Sequence, residues 1–274
     1  MFEHLFTTVP PPPAVHTAYG PDPVQFAELR LPGGPGPHPV VIVVHGGYWR
    51  AAYGLAHIGH LCHALTAAGL ATWNVEYRRV GHQGGGWPGT LLDVAAAADH
   101  LRAVAPRYNL DLGCVVALGH SAGGHLALWL AARLRLAPGS PLYQAGAVPL
   151  WAVVALAPVA DLRFAWDLHL SADVAAALLG GPPDRVPERY AAASPAELLP
   201  LGVAQTVIHG DADVDVPPEM SARYVAAARA AGDPVTLVRL PGVEHFALID
   251  PESAVWPVVL AAVRAGLEGE PLAW

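Results

Sequence analysis

The stretch CVVALGHSAGGHLALWL, residues 114–130, decides how the rest of the chain is read. Its first half is a short apolar run of the kind that fills a buried strand. Its second half carries the alanines and leucines of a helix. One hydroxyl, Ser121, stands at the junction in the pattern Gly119-His120-Ser121-Ala122-Gly123, a G-x-S-x-G. A strand that turns at once into a helix strains the backbone of the corner residue and projects its side chain above the sheet. Side chains two places to either side would strike the neighbouring strand and helix, so Gly119, Gly123 and Gly124 clear space for the turn. The pattern is short enough to arise by chance, and its strand–turn–helix setting is what gives it weight. The helix after it points its amino end at the serine, which favours negative charge developing there.

Outward from this corner, short apolar runs alternate with Ala-rich helical runs. Strands are expected at 24–31, 39–47, 70–77, 151–159, 205–210 and 234–240. Helices are expected at 55–68, over TLLDVAAAADHLRAV, at 122–136, and near 218–231 and 252–267. The run PVVIVVHGG is apolar without alternation, as in a strand buried on both faces. Asp250 is placed to cap the last helix, with Pro251 at its first position. Strands alternating with helices imply a mostly parallel sheet with helices on both faces, an α/β fold. Residues 1–22 are Pro-rich and are expected to form a surface arm, ahead of one domain over 23–274. The interval 161–200 breaks the rhythm and carries Trp166, so a small lid-like excursion over one end of the sheet is expected there.

The 274 residues are 53 % hydrophobic and 14 % charged, which gives a large core and argues against disorder. The net charge is -8, and no run of Lys or Arg occurs. Nucleic acid and anionic membrane are therefore poor partners. Mean hydropathy is +0.36. The longest charge-free stretch, Leu136 to Ala160, is broken by Pro138, Pro141, Pro149 and Pro158 and does not read as a lipid-exposed helix. The N-terminus lacks a basic start, an apolar core and a cleavage site, so a soluble, cytoplasmic protein is expected. Cys62 and Cys114 sit in apolar patterns and read as free buried thiols.

An activated serine needs a base, and the base needs an orienting carboxylate. In folds of this type the order is serine, acid, histidine. Of 14 histidines, His245 in PGVEHFALI comes after the strand at 234–240, at a carboxyl end of the sheet. The acid should come after the strand at 205–210, where HGDADVDVP offers Asp211, Asp213 and Asp215, and spacing does not choose among them. An oxyanion needs two backbone N–H donors. Ala122 supplies one, and the loop His45-Gly46-Gly47-Tyr48-Trp49 supplies the other; glycine there lets the backbone approach a substrate oxygen closely.

These residues resemble the α/β-hydrolase family over nearly the whole chain, from VVIVVHGGYW to VEHF. HGGYW together with GHSAGGHLALWL resembles the kynurenine formamidase (arylformamidase) branch and its bacterial esterase relatives, near the hormone-sensitive-lipase type. The segment HGDADVDVP is similar to the family pattern H-G-x-x-D-x-x-V-P, which implies Asp213 as the acid. The resemblance also implies Ser121 as nucleophile, His245 as general base, and Gly47, Tyr48 and Ala122 as oxyanion donors, with Gly46 able to stand in for one. Tyr48 stands where lipase-branch esterases often carry a third glycine, and the short arm departs from their longer cap. Arg78 and Asp93 resemble a structural ion pair of the family.

His57, His60 and His63 splay around their helix without carboxylates nearby in sequence and read as structural, not as a metal site. His120 is expected to point away from the nucleophile, and His45 to brace its loop. Trp49, Trp87 and Trp166 could line an aryl pocket or simply pack in the core. The chain thus reads as a serine hydrolase of small esters or N-formyl aryl amides, with no metal or organic cofactor implied. An acetyl- or feruloyl-type carbohydrate esterase is an alternative within enzymes. The rival from another class is a ligand-binding module with an idle triad.

Overall fold

The structure is a computed structural model and describes residues 2–274. Strands β1 (Val15–Ala18), β2 (Phe26–Arg30), β3 (His38–Val44), β4 (Ala71–Val75), β5 (Leu110–His120), β6 (Ala152–Leu156), β7 (Ala204–Gly210) and β8 (Val235–Leu240) form one eight-stranded sheet. Their order is β1-β2-β4-β3-β5-β6-β7-β8. The pairs β1–β2 and β2–β4 are antiparallel, and all others are parallel. The order reverses between β3 and β5. In open α/β sheets that reversal opens a crevice at the carboxyl ends of the strands.

The helices are α1 (His4–Thr7), α2 (Gly59–Ala67), α3 (Gly89–Tyr108), α4 (Ala122–Ala132), α5 (Leu162–Asp167), α6 (Val174–Leu179), α7 (Pro187–Ala193), α8 (Pro218–Ala230) and α9 (Trp256–Leu267). The apolar runs of β3 and β5 reflect burial on both faces. Val40, Ile42 and Val44 pack on one side with Leu91 and Val94 of α3 and Leu126 of α4. Val41 and Val43 pack on the other with Leu61 and Leu65 of α2 and Val259 and Val263 of α9. Among the described residues no helix is long and apolar enough to cross a membrane. Cys62 and Cys114 are free thiols; Cys62 is buried and Cys114 half-buried.

Two local expectations are corrected. Residues 1–22 are more than a surface arm, because β1 adds an edge strand to the sheet and Leu5 of α1 is buried in the second core cluster. Strand β1 alternates half-buried and exposed positions and so lacks a run of core residues to announce it. The last helix starts at Trp256, not at Pro251. Asp250 instead organises the turn before it, accepting the Glu252 amide at 2.9 Å. The interval 161–200 folds into α5, α6 and α7 with short turns between them.

Candidate active site

Ser121 sits between β5 and α4 with φ 58° and ψ −121°. That conformation is costly for a residue with a Cβ, of order 1–3 kcal/mol, and persists only where the surroundings impose it. The surroundings do so by contact. A Cβ on Gly119 would lie 2.0 Å from the Gly123 oxygen, and one on Gly123 would lie 2.0 Å from the Val44 oxygen and 2.5 Å from that of His45. The turn therefore seats directly on the end of β3. The Ser121 amide donates to the Leu156 carbonyl at 2.8 Å, which ties the corner to β6 as well.

Asp213 lies just beyond β7, and its carboxylate is saturated. Oδ1 accepts from the amides of Asp215 and Val216, each at 2.9 Å. Oδ2 accepts from His245 Nδ1 at 2.6 Å and lies 3.2 Å from His209 Nε2. Burial works against ionisation here. Hydrogen bonds from His209 and His245, the neighbouring His245 and the Val216 amide outweigh it and hold the carboxyl well below the usual carboxylate range. Of the three candidate acids, Asp213 is the one that meets His245. Asp211 pairs with Arg239 at 2.7 Å on the surface. Asp215 accepts the Tyr48 hydroxyl on its backbone carbonyl at 2.9 Å. Asp213, Asp215 and His245 carry ligand-type atoms within 4.8 Å of one another. Both oxygens of Asp213 are already engaged by histidines and amides, so the donor set does not fit a resident metal ion.

Ser121, His245, Gly47, Tyr48 and Asp215 line one cavity of about 350 Å³, together with Phe6, Tyr53, His57, His120 and Phe246. No hydrogen bond joins Ser121 to His245 among the described residues, although both face this cavity. Such bonds are often long in an unliganded site. The loop after β3 runs through positive φ at Gly47, Tyr48 and Trp49. Ala122 opens α4, where the first N–H groups have no partner within the helix. Burial, then the charges of Asp215 and Asp213, push the Tyr48 phenol up to about 12, so it remains a donor.

Several neighbours escaped the sequence reading. His120 does not point away: its Nε2 donates to the His245 carbonyl at 3.1 Å, and the two rings lie 4.3 Å apart. The strained corner turns it toward the His245 loop. Burial, then the nearby His245, lower its pKa well below the usual range, so it is neutral. His45 braces its loop through Glu76 Oε1 at 2.9 Å, and Glu76 also takes Arg79 at 2.8 Å and the Leu55 amide at 3.0 Å. Nothing in the spacing marked Glu76. Arg78 and Asp93 are joined at 2.7 Å, away from the cavity.

The three tryptophans lie elsewhere than in this cavity. Trp49 is fully buried, edge-on to His125 at 5.0 Å. Trp87 and Trp166 are half-buried against the first core cluster. The interval 161–200 likewise contributes none of the cavity's lining residues. The aromatic lining comes from Phe6, Tyr48, Tyr53 and Phe246, in loops, a short 3-10 turn and the N-terminal arm, where a hydropathy pattern carries no signal. His57, His60 and His63 diverge. His57 lines the cavity, His60 meets Thr8 at 3.1 Å, and His63 is exposed.

The parallel sheet, the nucleophile-type turn and the loops gathered above it define an α/β-hydrolase fold. The chain belongs to the BD-FAE family, an esterase family of this fold, whose model matches residues 30–227. No curated protein matches the sequence. Among solved structures, it is similar to a truncated form of a carbohydrate esterase from gut microbiota. That match has 23 % identity and a TM-score of 0.76, over 92 % of this chain and 95 % of the other. It is also similar to an inhibited esterase B from Lactobacillus rhamnosis, with 22 % identity, TM-score 0.80, and 97 % and 91 % of the two chains covered. A third is a propionate-bound esterase from Thermogutta terrifontis, at 22 % identity and TM-score 0.71 over 91 % of each chain.

Proposed function

We propose that this chain hydrolyses small carboxylic esters through a serine nucleophile, with Ser121 attacking, His245 as general base and Asp213 orienting the imidazole. The observation that carries the reading is the 2.6 Å bond from His245 Nδ1 to a carboxylate held charged, beside a strained serine facing the same cavity. Because Nδ1 donates to Asp213, Nε2 of a neutral His245 is an acceptor, and it takes the Ser121 proton as Oγ attacks the carbonyl carbon. The carbonyl oxygen gains charge against the amides of Ala122, Gly47 and Tyr48 and the positive end of α4. His245 then returns the proton to the leaving group, and water repeats the sequence on the acyl-enzyme.

A cavity of about 350 Å³ lies at the small end of ligand sites, which supports a compact acyl or aryl group over a lipid. The aromatic rings around it favour an aryl substituent, as in an aryl ester or an N-formyl aryl amide such as N-formylkynurenine. Carbohydrate esters are the second reading; one of the similar structures is a carbohydrate esterase. Comparing kcat/KM for N-formylkynurenine with acetyl, butyryl and feruloyl esters separates these. The hydrolase reading itself rests on Ser121→Ala. It should lower p-nitrophenyl acetate turnover by more than about 10³-fold and abolish fluorophosphonate labelling without lowering the melting temperature. Parent-like turnover in that variant would remove Ser121 as the nucleophile, and a parent that neither turns over esters nor is labelled would return the fold to a binding role.

A further inference from the structure

We infer that Phe6, on the N-terminal helix α1, is a specificity-determining residue that sets how long a substituent the site accepts. This rests on the ester-hydrolase reading above. The Phe6 ring lines the cavity beside Ser121. It stacks on His57 with centroids 5.3 Å apart and planes at 17°, and it meets Phe246 edge-on at 5.2 Å. Phe6 also borders a second cavity of about 180 Å³, lined by Leu5, Thr8, Ala52, Gly54 and Ala56. Phe6, Tyr53 and His57 line both spaces. They form the partition between them.

The partition has one firm member and two that project from the surface. His57 is buried, and its Nδ1 lies 2.8 Å from the Gly54 carbonyl, so its ring is fixed. Phe6 and Tyr53 are 47 % and 41 % exposed. An aromatic ring left half in water adds little to the core, yet the backbone that carries it is anchored on both sides. Leu5 is 1 % exposed within the second core cluster, and His4 Nε2 lies 3.3 Å from Asp250 Oδ1. Thr8 is hydrogen-bonded to His60 at 3.1 Å, and the Pro11 carbonyl accepts from Arg30 at 3.0 Å. Phe6 is thus a half-exposed ring on a fixed stem, placed where its removal joins two cavities without opening the core. A substituent longer than the first cavity can hold then gains a second space. Discrimination in apolar pockets commonly amounts to about tenfold or more per methylene.

The test uses the full chain and its Phe6→Ala and Phe6→Trp variants. Two ester series are assayed: p-nitrophenyl acetate to octanoate, which varies the acyl group, and methyl to hexyl acetates, which vary the alcohol. Phe6→Ala should raise the kcat/KM ratio of the longest to the shortest member at least about tenfold in one series. Phe6→Trp should move the same ratio the opposite way, and it retains an aromatic anchor should the alanine variant fold poorly. Ratios unchanged in both series, in variants that melt like the parent and are still labelled at Ser121, would overturn the assignment of Phe6 alone. A parent that neither turns over esters nor is labelled would overturn the hydrolase reading, and this inference with it.

Discussion

Replacing Asp213 by Asn removes one charge and almost no volume, and the hydrogen bonds around the carboxylate dictate the outcome. Oδ1 accepts two backbone amides, from Asp215 and Val216, both at 2.9 Å. An amide NH₂ group cannot replace an oxygen there, so the carbonyl of the new side chain must take that side. Its NH₂ then occupies the position of Oδ2 and faces His245 Nδ1, which lies 2.6 Å away in the parent. Two donors cannot share that line, so the imidazole shifts its proton to Nε2 and presents N–H toward Ser121 in place of an acceptor. An inverted tautomer of this kind costs a serine triad about 10⁴-fold in kcat, or about 5 kcal/mol of transition-state stabilisation. The assay is kcat/KM on p-nitrophenyl acetate between pH 6 and 10, with melting temperature as the control for folding. Asp211→Asn is the comparison. It breaks only the surface pair with Arg239, so it should cost less than about 1 kcal/mol of stability and leave turnover within about twofold. An Asp213→Asn protein that folds and keeps activity within about tenfold of the parent would refute the tautomer argument, and equal losses at Asp211 would refute the choice of acid.

Gly123→Ala sets a methyl 2.0 Å from the Val44 oxygen, a backbone atom that cannot rotate away. It should cost at least about 3 kcal/mol by urea unfolding and more than about 100-fold in turnover. Gly33→Ala, with nothing within 4 Å of the added carbon, should change neither, and a parent-like midpoint for Gly123→Ala would contradict the packing account. Acid probes the buried histidines. Burial holds His57 and His125 down at about 4, from an unfolded value of 6.5. The unfolded chain therefore binds more protons, and stability is full above pH 6.5 and falls as pH drops toward 4. Burial holds His120 down as well, so between these limits unfolding should take up about three protons, seen as a steep fall of melting temperature with pH. Asp213 adds a loss of the same sign below its unfolded value of 3.8, because its folded pKa is depressed. A melting temperature flat from pH 6.5 to 4.5 would contradict the burial of these rings as neutral groups.

The sheet was legible because strands buried on both faces leave unbroken apolar runs, as PVVIVVHGG does, and because G-x-S-x-G marks the corner by its glycines. Strand β1 was not legible, since Val15 to Ala18 alternate half-buried with exposed positions after a proline run. Among the candidate acids, spacing left Asp211, Asp213 and Asp215 equivalent. What separates them is which carboxylate the Asp215 and Val216 amides fix in place, a property of the turn's path and not of its composition. The tryptophans misled for a related reason. Aromatic area tells how much a residue gains by burial, not which side of the sheet it is buried on, and Trp49 satisfies that gain against His125. Phe6 lies far from Ser121 in the chain and inside no periodic segment, so only the folded arm brings it to the cavity.

The contact of Gly123 with the end of β3 divides the site for anyone wishing to retune it. The corner and the loop after β3 interlock through main-chain atoms, so neither can be transplanted or randomised without the other, and residues 44–47 and 119–124 are best inherited together as a single cassette. Positions 6, 53 and 246 border the cavity outside that interlock, and a combinatorial library belongs there.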